Sequence, residues 1–163
     1  MKRLVLLLCA VLIVLTSCGE RETDALSCLE EMMACCGELP TGQIYARSAE
    51  EGMASYLNDT LRQTLYGEGA KEVFSRLSDF AIYLSFRPAP FEIAVFRCYS
   101  HTDAHLVAAM CMERKELLCM ALRGTSFEER TEWIGVSVKD RTVIMTVIPD
   151  LTRQEIRDLI GWL

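Results

Sequence analysis

The architecture of this chain is set by the segment Phe91-Glu92-Ile93-Ala94-Val95-Phe96-Arg97-Cys98-Tyr99-Ser100-His101-Thr102-Asp103. Its first nine residues are apolar at nearly every position, which is typical of a central strand covered on both faces. Ser100 and Asp103 then have the spacing of a helix-capping signature. Neither glycine nor proline interrupts the sequence from Thr102 to about Leu122. The segment therefore predicts a buried strand followed by the longest helix of the chain.

Three further strands are predicted on either side of this unit. Phe80 to Ser85 is a short apolar run, and Arg87-Pro88-Ala89-Pro90 separates it from the central strand as a turn. Trp133 to Val138 and Arg141 to Ile148 are rich in valine and isoleucine and are joined by two residues, the length of a tight hairpin. We expect an α+β fold with a four-stranded, mainly antiparallel sheet.

Helices are predicted before and after the sheet. Leu26, Leu29, Met33 and Cys36 recur at helical spacing, and the segment 25–47 is predicted to be helical. A second helix is expected from a capping box at Ser48 to Gly67, with a break near Asn58, and a C-terminal helix from about Leu151. The long central helix and the C-terminal helix are expected to pack on the sheet within a single α+β domain over 48–163.

The chain begins like an exported protein. Lys2 and Arg3 precede an apolar run from Leu4 to Leu15, which is shorter than the about 20 residues of a membrane-spanning helix. We therefore predict a signal peptide over 1–17 and a polar tether over 18–24. The alternative is an ordinary secretory signal in which Cys18 has no special role.

Leu15-Thr16-Ser17-Cys18 resembles the lipobox of bacterial lipoproteins. The resemblance implies that the Cys18 thiol receives a covalent diacylglycerol and acyl lipid such as palmitate, and that the bond before it is cleaved. Two acyl chains are enough for stable anchoring. The expected location is the outer, extracytoplasmic face of the cell membrane, where the lipid anchor makes the membrane a partner of the protein.

Composition limits the other partners. The chain has 163 residues and a net charge of −6, and removal of Lys2 and Arg3 with the signal peptide makes the mature chain more acidic, at −8. Nucleic acids and polybasic membrane contacts need a dense positive field, so we predict no nucleic-acid partner. An unidentified protein or small ligand is the expected partner of the exported domain.

Four short motifs together resemble a family of uncharacterised lipoproteins from Gram-positive, clostridial-type bacteria, a domain of unknown function. They are the lipobox, Leu65-Tyr66-Gly67, Glu92-Ile93-Ala94-Val95-Phe96 and Glu113-Arg114. The resemblance covers about Tyr56 to Ile148, and the chain departs from it in its many cysteines and methionines. It implies location and fold but carries no catalytic residue.

Cysteine and methionine offer the sharpest chemical hypothesis. Cys28, Met32, Met33, Cys35 and Cys36 are soft ligands of the kind that Cu(I) prefers, so they are weak candidates for a metal site. The methionines also fit the apolar face of an ordinary helix, and no cofactor is predicted. Disulfides among the six cysteines beyond Cys18 are open, although Cys111 and Cys119 lie too far apart on one helix to pair. The alternative is that Cys98, Cys111 and Cys119 are small buried residues.

Charged residues give two further candidates. Glu92 lies inside the apolar strand, and Arg114 falls on the buried stripe of the long helix, so we predict a structural ion pair between them, with a catalytic carboxylate at Glu92 as the competing interpretation. His101 and His105 have the spacing of a zinc-binding pair, but a solvated first helical turn explains them as well. No nucleophile or phosphate-binding motif occurs. We expect a non-enzymatic interaction or ligand-binding module; the alternative is a small metal- or redox-handling protein that uses Cys28 to Cys36.

Overall fold

A computed structural model describes residues 24–86, residues 90–148 and Asp158. The described chain is an α+β fold with one five-stranded antiparallel sheet. Its elements in order are α1 (Ala25–Cys35), β1 (Gly42–Ala46), α2 (Asp59–Tyr66), α3 (Ala70–Phe74), β2 (Leu77–Ser85), β3 (Glu92–Cys98), α4 (His101–Leu122), a short 3-10 helix (Glu128–Trp133), β4 (Ile134–Lys139) and β5 (Thr142–Val147).

The strands lie in the order β1-β2-β3-β5-β4, and every neighbouring pair is antiparallel. The strand β3 is central, and Ala94 lies opposite Ile82 of β2 and Met145 of β5. All residues of β3 except Arg97 are buried. The prediction of a central strand covered on both faces is therefore confirmed.

Helices cover both faces of the sheet. Ile93 and Val95 belong to a hydrophobic core under α1, whereas Ala94 and Phe96 belong to a larger core under α2, α3 and α4. Alternate residues of a strand point to opposite faces, so β3 contributes to both cores. Burial of one large side chain such as Phe96 stabilises the fold by about 1.5–3 kcal/mol.

The helix α1 is fixed at its first turn by two carboxylates. Asp24 caps the helix, since its Oδ1 accepts a hydrogen bond from the Ser27 amide at 2.7 Å. Asp79 of β2 accepts a hydrogen bond from the Ala25 amide at 2.8 Å. These bonds satisfy amides that have no partner within the helix, and they join α1 to the sheet.

The four-strand prediction is wrong by one strand. The segment 25–47, which was predicted to be helical, contains the edge strand β1, which pairs with β2 from Gly42 opposite Ser85 to Ala46 opposite Ala81. The strand has only five residues, and four of them are partly exposed. So short a run on a sheet edge gives neither the alternation nor the continuous apolar pattern that identifies a strand.

The helix predicted from Ser48 begins ten residues later. Gly52 adopts a φ of 96°, which interrupts a right-handed helix, and turns occupy this segment. The cap of α2 is Asn58, whose Oδ1 accepts a hydrogen bond from the Leu61 amide at 2.8 Å. The capping-box pattern at Ser48 is therefore not used, because the chain leaves β1 through turns before α2 begins.

The long helix and the last hairpin follow the predictions closely. The helix α4 has 22 residues, and the Ser100 side chain caps it by accepting from the Asp103 amide. The strands β4 and β5 are joined through Asp140, whose φ is 53°. Trp133 ends the 3-10 helix and does not belong to β4.

Several predicted segments lie outside the described residues. They are the signal peptide, the tether up to residue 23 with Cys18, and the C-terminal helix, of which only Asp158 is described, as helical. Within residues 24–86 and 90–148, no helix has the length and apolar composition needed to cross a membrane.

Candidate functional site

A cleft with a volume of about 480 Å³ lies beside the end of β1. Aromatic rings and cationic side chains line it together, and no acidic residue does. The lining residues are Ala46, Arg47, Ala49, Tyr56, Leu57, Arg62, Lys71, Phe74, Ser75 and Phe80. Pockets of this volume with a few polar groups on apolar walls are typical of small-ligand sites, so this cleft is the candidate functional site.

Four segments of the chain build the cleft. The end of β1 and the following turns supply Arg47 and Tyr56, α2 supplies Arg62, the region of α3 supplies Lys71, and β2 supplies Phe80. The Arg47 amide donates to the carbonyl oxygen of Phe80 at 3.1 Å, and its guanidinium Nη1 donates to another carbonyl oxygen of β2. The turns are thereby held against the sheet.

Arg62 is the most enclosed cation of the cleft, with a side chain only 16% exposed. Its Nη1 donates to Asp59 Oδ1 at 2.9 Å, and its Nη2 donates to the carbonyl oxygen of Leu57 at 3.1 Å. Its Cζ lies 4.9 Å from the centroid of the Phe74 ring, a cation–π contact. Among the described residues, its buried Nε has no hydrogen-bond partner. The guanidinium is thus held in one place by contacts on several sides.

Asp59 is the one carboxylate bound to the cations of the cleft in the described part of the chain. Its Oδ2 accepts from Lys71 Nζ at 3.0 Å, while its Oδ1 accepts from Arg62. The Lys71 hydrogen bond is the main cause that lowers the pKa of Asp59, and the charges of Lys71 and Arg62 act in the same direction. One carboxylate against three cations, with Arg47 the third, leaves the cleft locally positive in an acidic chain.

A buried polar network lies next to the cleft. Glu92 is 2% exposed, and its Oε1 accepts from the Tyr66 hydroxyl at 2.9 Å. Its Oε2 accepts from Arg114 Nη2 at 2.9 Å and from Arg114 Nε at 3.3 Å. The structure thus brings together the two residues that the sequence analysis paired, and it adds Tyr66, which that analysis did not connect to them.

The network leaves the Glu92 carboxylate little capacity for chemistry. Three donors occupy it, it does not line the cleft, and the Arg114 side chain beside it is 12% exposed. Burial raises the pKa of Tyr66 well above its ordinary value, and the neighbouring charge of Glu92 adds to this effect. A neutral phenol, a carboxylate and a guanidinium that satisfy one another are typical of a structural network.

One aromatic ring joins the network to the cleft. Phe74 lines the cleft, and its ring centroid lies 5.6 Å from that of Tyr66 and 5.8 Å from that of Phe96. It also meets Phe80 edge-on, with the ring centroids 5.2 Å apart. Edge-to-face pairs of this kind fix ring orientation, so the floor of the cleft is part of the hydrophobic core.

The six cysteines that the structure describes are free thiols. Cys28, Cys98 and Cys111 are buried, Cys36 and Cys119 are half-buried, and Cys35 is exposed. Burial raises the pKa of Cys28 and of Cys98 from 9.0 to about 11, and it raises the pKa of Cys111 further. These thiols are therefore neutral at physiological pH, as expected of small buried residues.

The three cysteines among the candidate metal ligands do not form a cluster in the described part of the chain. No group of three or more His, Cys, Asp or Glu side chains in residues 24–86 and 90–148 is placed to hold a metal ion. Met32 is buried in the core under α1, and Met33 packs at the margin of that core. Burial also raises the pKa of Cys36, whose thiol donates to the carbonyl oxygen of Met32 at 3.2 Å.

The two histidines lie in the first turns of α4. The Nδ1 atom of His101 is 3.1 Å from the carbonyl oxygen of Asp140, and both imidazoles are exposed. Asp103, between them, hydrogen-bonds to Ser100 of the cap. The geometry matches the solvated helix turn that was the alternative to a zinc-binding pair with His105.

The cations of the cleft carry no signal in the local sequence. Arg47, Arg62 and Lys71 come from three separate segments, and only folding brings them together. Lys71 lies in the segment Gly67-Glu68-Gly69-Ala70-Lys71, which the sequence predicts as a helix stop and turn. The structure agrees in part: Gly67 ends α2 with a φ of 86°, but Ala70 and Lys71 already belong to α3.

Comparison with known proteins gives no match: no protein-family model matches the chain, and no curated protein or solved structure is similar to it. The resemblance to a family of clostridial-type lipoproteins therefore stays a prediction.

Proposed function

We propose that this protein is a lipoprotein held on the extracytoplasmic face of the membrane by a lipid on Cys18, and that its domain binds a small ligand without catalysing a reaction. The observation that supports ligand binding is the cleft, in which Arg62 is held in place between Asp59, a backbone carbonyl and the Phe74 ring. A preorganised polar group on an aromatic wall binds a ligand with little loss of conformational entropy.

A binding role is favoured over catalysis by the state of Glu92. This buried carboxylate was the candidate for a catalytic group, but Tyr66 and Arg114 already occupy both of its oxygens. A general base must reach the proton that it removes, within hydrogen-bond distance or through one water. Glu92 does not line the cleft, so a ligand bound there does not meet its carboxylate.

The alternative, a metal- or redox-handling protein that uses Cys28 to Cys36, gains no support from the geometry. Soft metals bind the thiolate, and redox exchange also requires it. Burial raises the pKa of both Cys28 and Cys36, which disfavours the thiolate. Cys35 is exposed and is not grouped with them around one point.

Lipidation and location are tested together. The full chain and its Cys18→Ala variant are expressed in a Gram-positive host fed an alkyne-bearing fatty acid, and the cells are fractionated. We expect the full chain to carry the label in the membrane fraction, because two acyl chains anchor it stably, and the variant to be unlabelled and absent from the mature membrane pool. Equal labelling of the two proteins would refute the assignment of Cys18.

Ligand binding is tested by native mass spectrometry of the full chain, purified from membranes under gentle conditions. We expect a bound small molecule that is lost when Phe74→Ala opens the floor of the cleft, and that is retained by Leu117→Ala, a change at an exposed position of α4. Retention by both variants would place the ligand elsewhere and would contradict the cleft as its site.

A further inference from the structure

We propose that the cleft binds a small organic anion, in which an oxyanion head is attached to a flat apolar body. This inference rests on the proposed ligand-binding function and specifies the class of ligand. The observation that carries it is the composition of the walls: three cationic side chains and three aromatic rings line one cleft, with no acidic residue among them.

The cations explain the charge of the ligand. Asp59 offsets one of the three positive charges, so the cleft keeps an excess of positive charge. An arginine has five N–H donors, and Arg47, which lines the cleft, uses its Nη1 on a carbonyl oxygen of β2. Lys71 is 79% exposed and makes one hydrogen bond, to Asp59, with its three-donor ammonium group. Donors for an incoming oxyanion therefore remain on both residues.

The positive charge of the cleft contrasts with the acidic composition of the chain as a whole. The protein has 23 acidic residues against 17 basic residues, so its overall field repels anions. The charged residues that line the cleft are all cations, so they focus an opposite local field that attracts an anion to this place. A site for a cation or a neutral ligand would gain nothing from such a concentration of positive charge.

The aromatic rings explain the shape of the ligand body. Tyr56, Phe74 and Phe80 line the cleft together with small and aliphatic side chains. Phe74 and Phe80 meet at an interplanar angle of 75°, so their faces and edges form a fixed apolar corner. A planar apolar group contacts such a corner closely, whereas a strongly hydrated bare ion makes no close contact with the apolar wall. The volume of about 480 Å³ suits a small molecule of one or two rings.

The test uses two fluorescent probes that share one ring system. Anilinonaphthalene sulfonate carries an anionic head, and phenylnaphthylamine lacks it. Both are titrated into the folded full chain, with inorganic phosphate as a bare anion for comparison. We expect saturable one-site binding of the sulfonate, binding of the neutral probe about tenfold weaker, and weak competition by phosphate, because one charge-assisted contact contributes about one factor of ten in affinity.

Charge is then removed at the cleft and, as a control, elsewhere. Arg47→Met/Lys71→Met removes two exposed cations from the cleft, and Arg123→Met/Lys139→Met removes two exposed cations outside it. We expect the first variant to bind the sulfonate about tenfold or more weakly and to bind the neutral probe unchanged, and the second to bind both like the parent protein. Far-UV circular dichroism and urea midpoints establish that all proteins compared are folded.

The outcomes separate this inference from the proposed function. If both probes bind one site equally well, and if Arg47→Met/Lys71→Met has no effect, the anion class is refuted while ligand binding stands. If neither probe binds and native mass spectrometry finds no bound molecule, ligand binding itself is refuted. Loss of sulfonate binding in both double variants would also overturn the inference, because the effect would then come from net charge and not from the cleft.

Discussion

Removal of the Glu92 carboxylate is expected to destabilise the protein more than any surface change. Glu92→Leu leaves the Arg114 guanidinium, 12% exposed, without its counter-charge and the Tyr66 hydroxyl without its acceptor. Breaking one side of a buried ion pair costs about 3–5 kcal/mol. The exposed residue Glu113 on α4 provides a matched control, and Glu113→Leu is expected to change stability by less than about 0.5 kcal/mol.

A double-mutant cycle separates the pair from its individual residues. Arg114→Met alone leaves a buried carboxylate with only the Tyr66 hydroxyl, and we expect a loss similar to that of Glu92→Leu. The double variant removes both charges, so its cost is expected to be about 2–3 kcal/mol smaller than the sum of the single costs. Tyr66→Phe removes one hydrogen bond to a charged group, and we expect a loss of about 1.5–3 kcal/mol.

Urea unfolding followed by far-UV circular dichroism measures these differences. The midpoints are compared at constant m-value, so that each change reports the free energy of unfolding. A loss below about 1 kcal/mol for Glu92→Leu would refute the conclusion that its bonds to Arg114 and Tyr66 are a buried structural network. If the loss of stability in the double variant equals the sum of the two single losses, the Glu92–Arg114 pair contributes no coupling energy.

Gly42→Ala places a Cβ 2.6 Å from a carbonyl oxygen of β2, so we expect a loss of about 1–3 kcal/mol in urea unfolding, whereas Gly69→Ala meets no atom within 4 Å and should be near neutral; equal losses would contradict the close approach. Because burial raises the pKa of Cys28 and Cys98 from 9.0 to about 11, their contribution to stability is complete below pH 9 and is lost as pH rises to about 11. Melting temperatures should therefore fall across this window, and less so in a variant with alanine at Cys98. Cys35, which is exposed, should react with a thiol reagent in the native protein long before Cys28, and peptide mapping that shows the reverse order would contradict the burial of α1.

The parts of the fold that could be predicted carry strong local patterns. The strand β3 is apolar at nearly every position, and α4 is a long uninterrupted segment with a cap at Ser100, so each is recognisable alone. The edge strand β1 depends on β2 for its pairing, and no pattern within it shows this. A local sequence pattern identifies helices and strands whose own residues favour that structure. It fails where tertiary contacts determine the secondary structure.

The same distinction applies to the candidate site. Glu92 and Arg114 could be paired in advance because a charge inside an apolar strand needs a buried partner, and helical periodicity places Arg114 on the inner face of α4. Arg47, Arg62 and Lys71 each look like ordinary surface cations, and nothing in the sequence says that they share a cleft. A site assembled from side chains of separate segments becomes visible only in three dimensions.

The cleft and the buried network depend on one helix. Arg62 and Tyr66 lie four residues apart on α2, so one helical turn presents the guanidinium to the cleft and the phenol to Glu92. Phe74 contacts both of them, by a cation–π contact with Arg62 and by a ring contact with Tyr66. The hydrogen bond from Tyr66 to Glu92 links α2 to the central strand β3, and it therefore fixes the position of Arg62. The buried network therefore also shapes the cleft, although the Glu92 carboxylate does not line it.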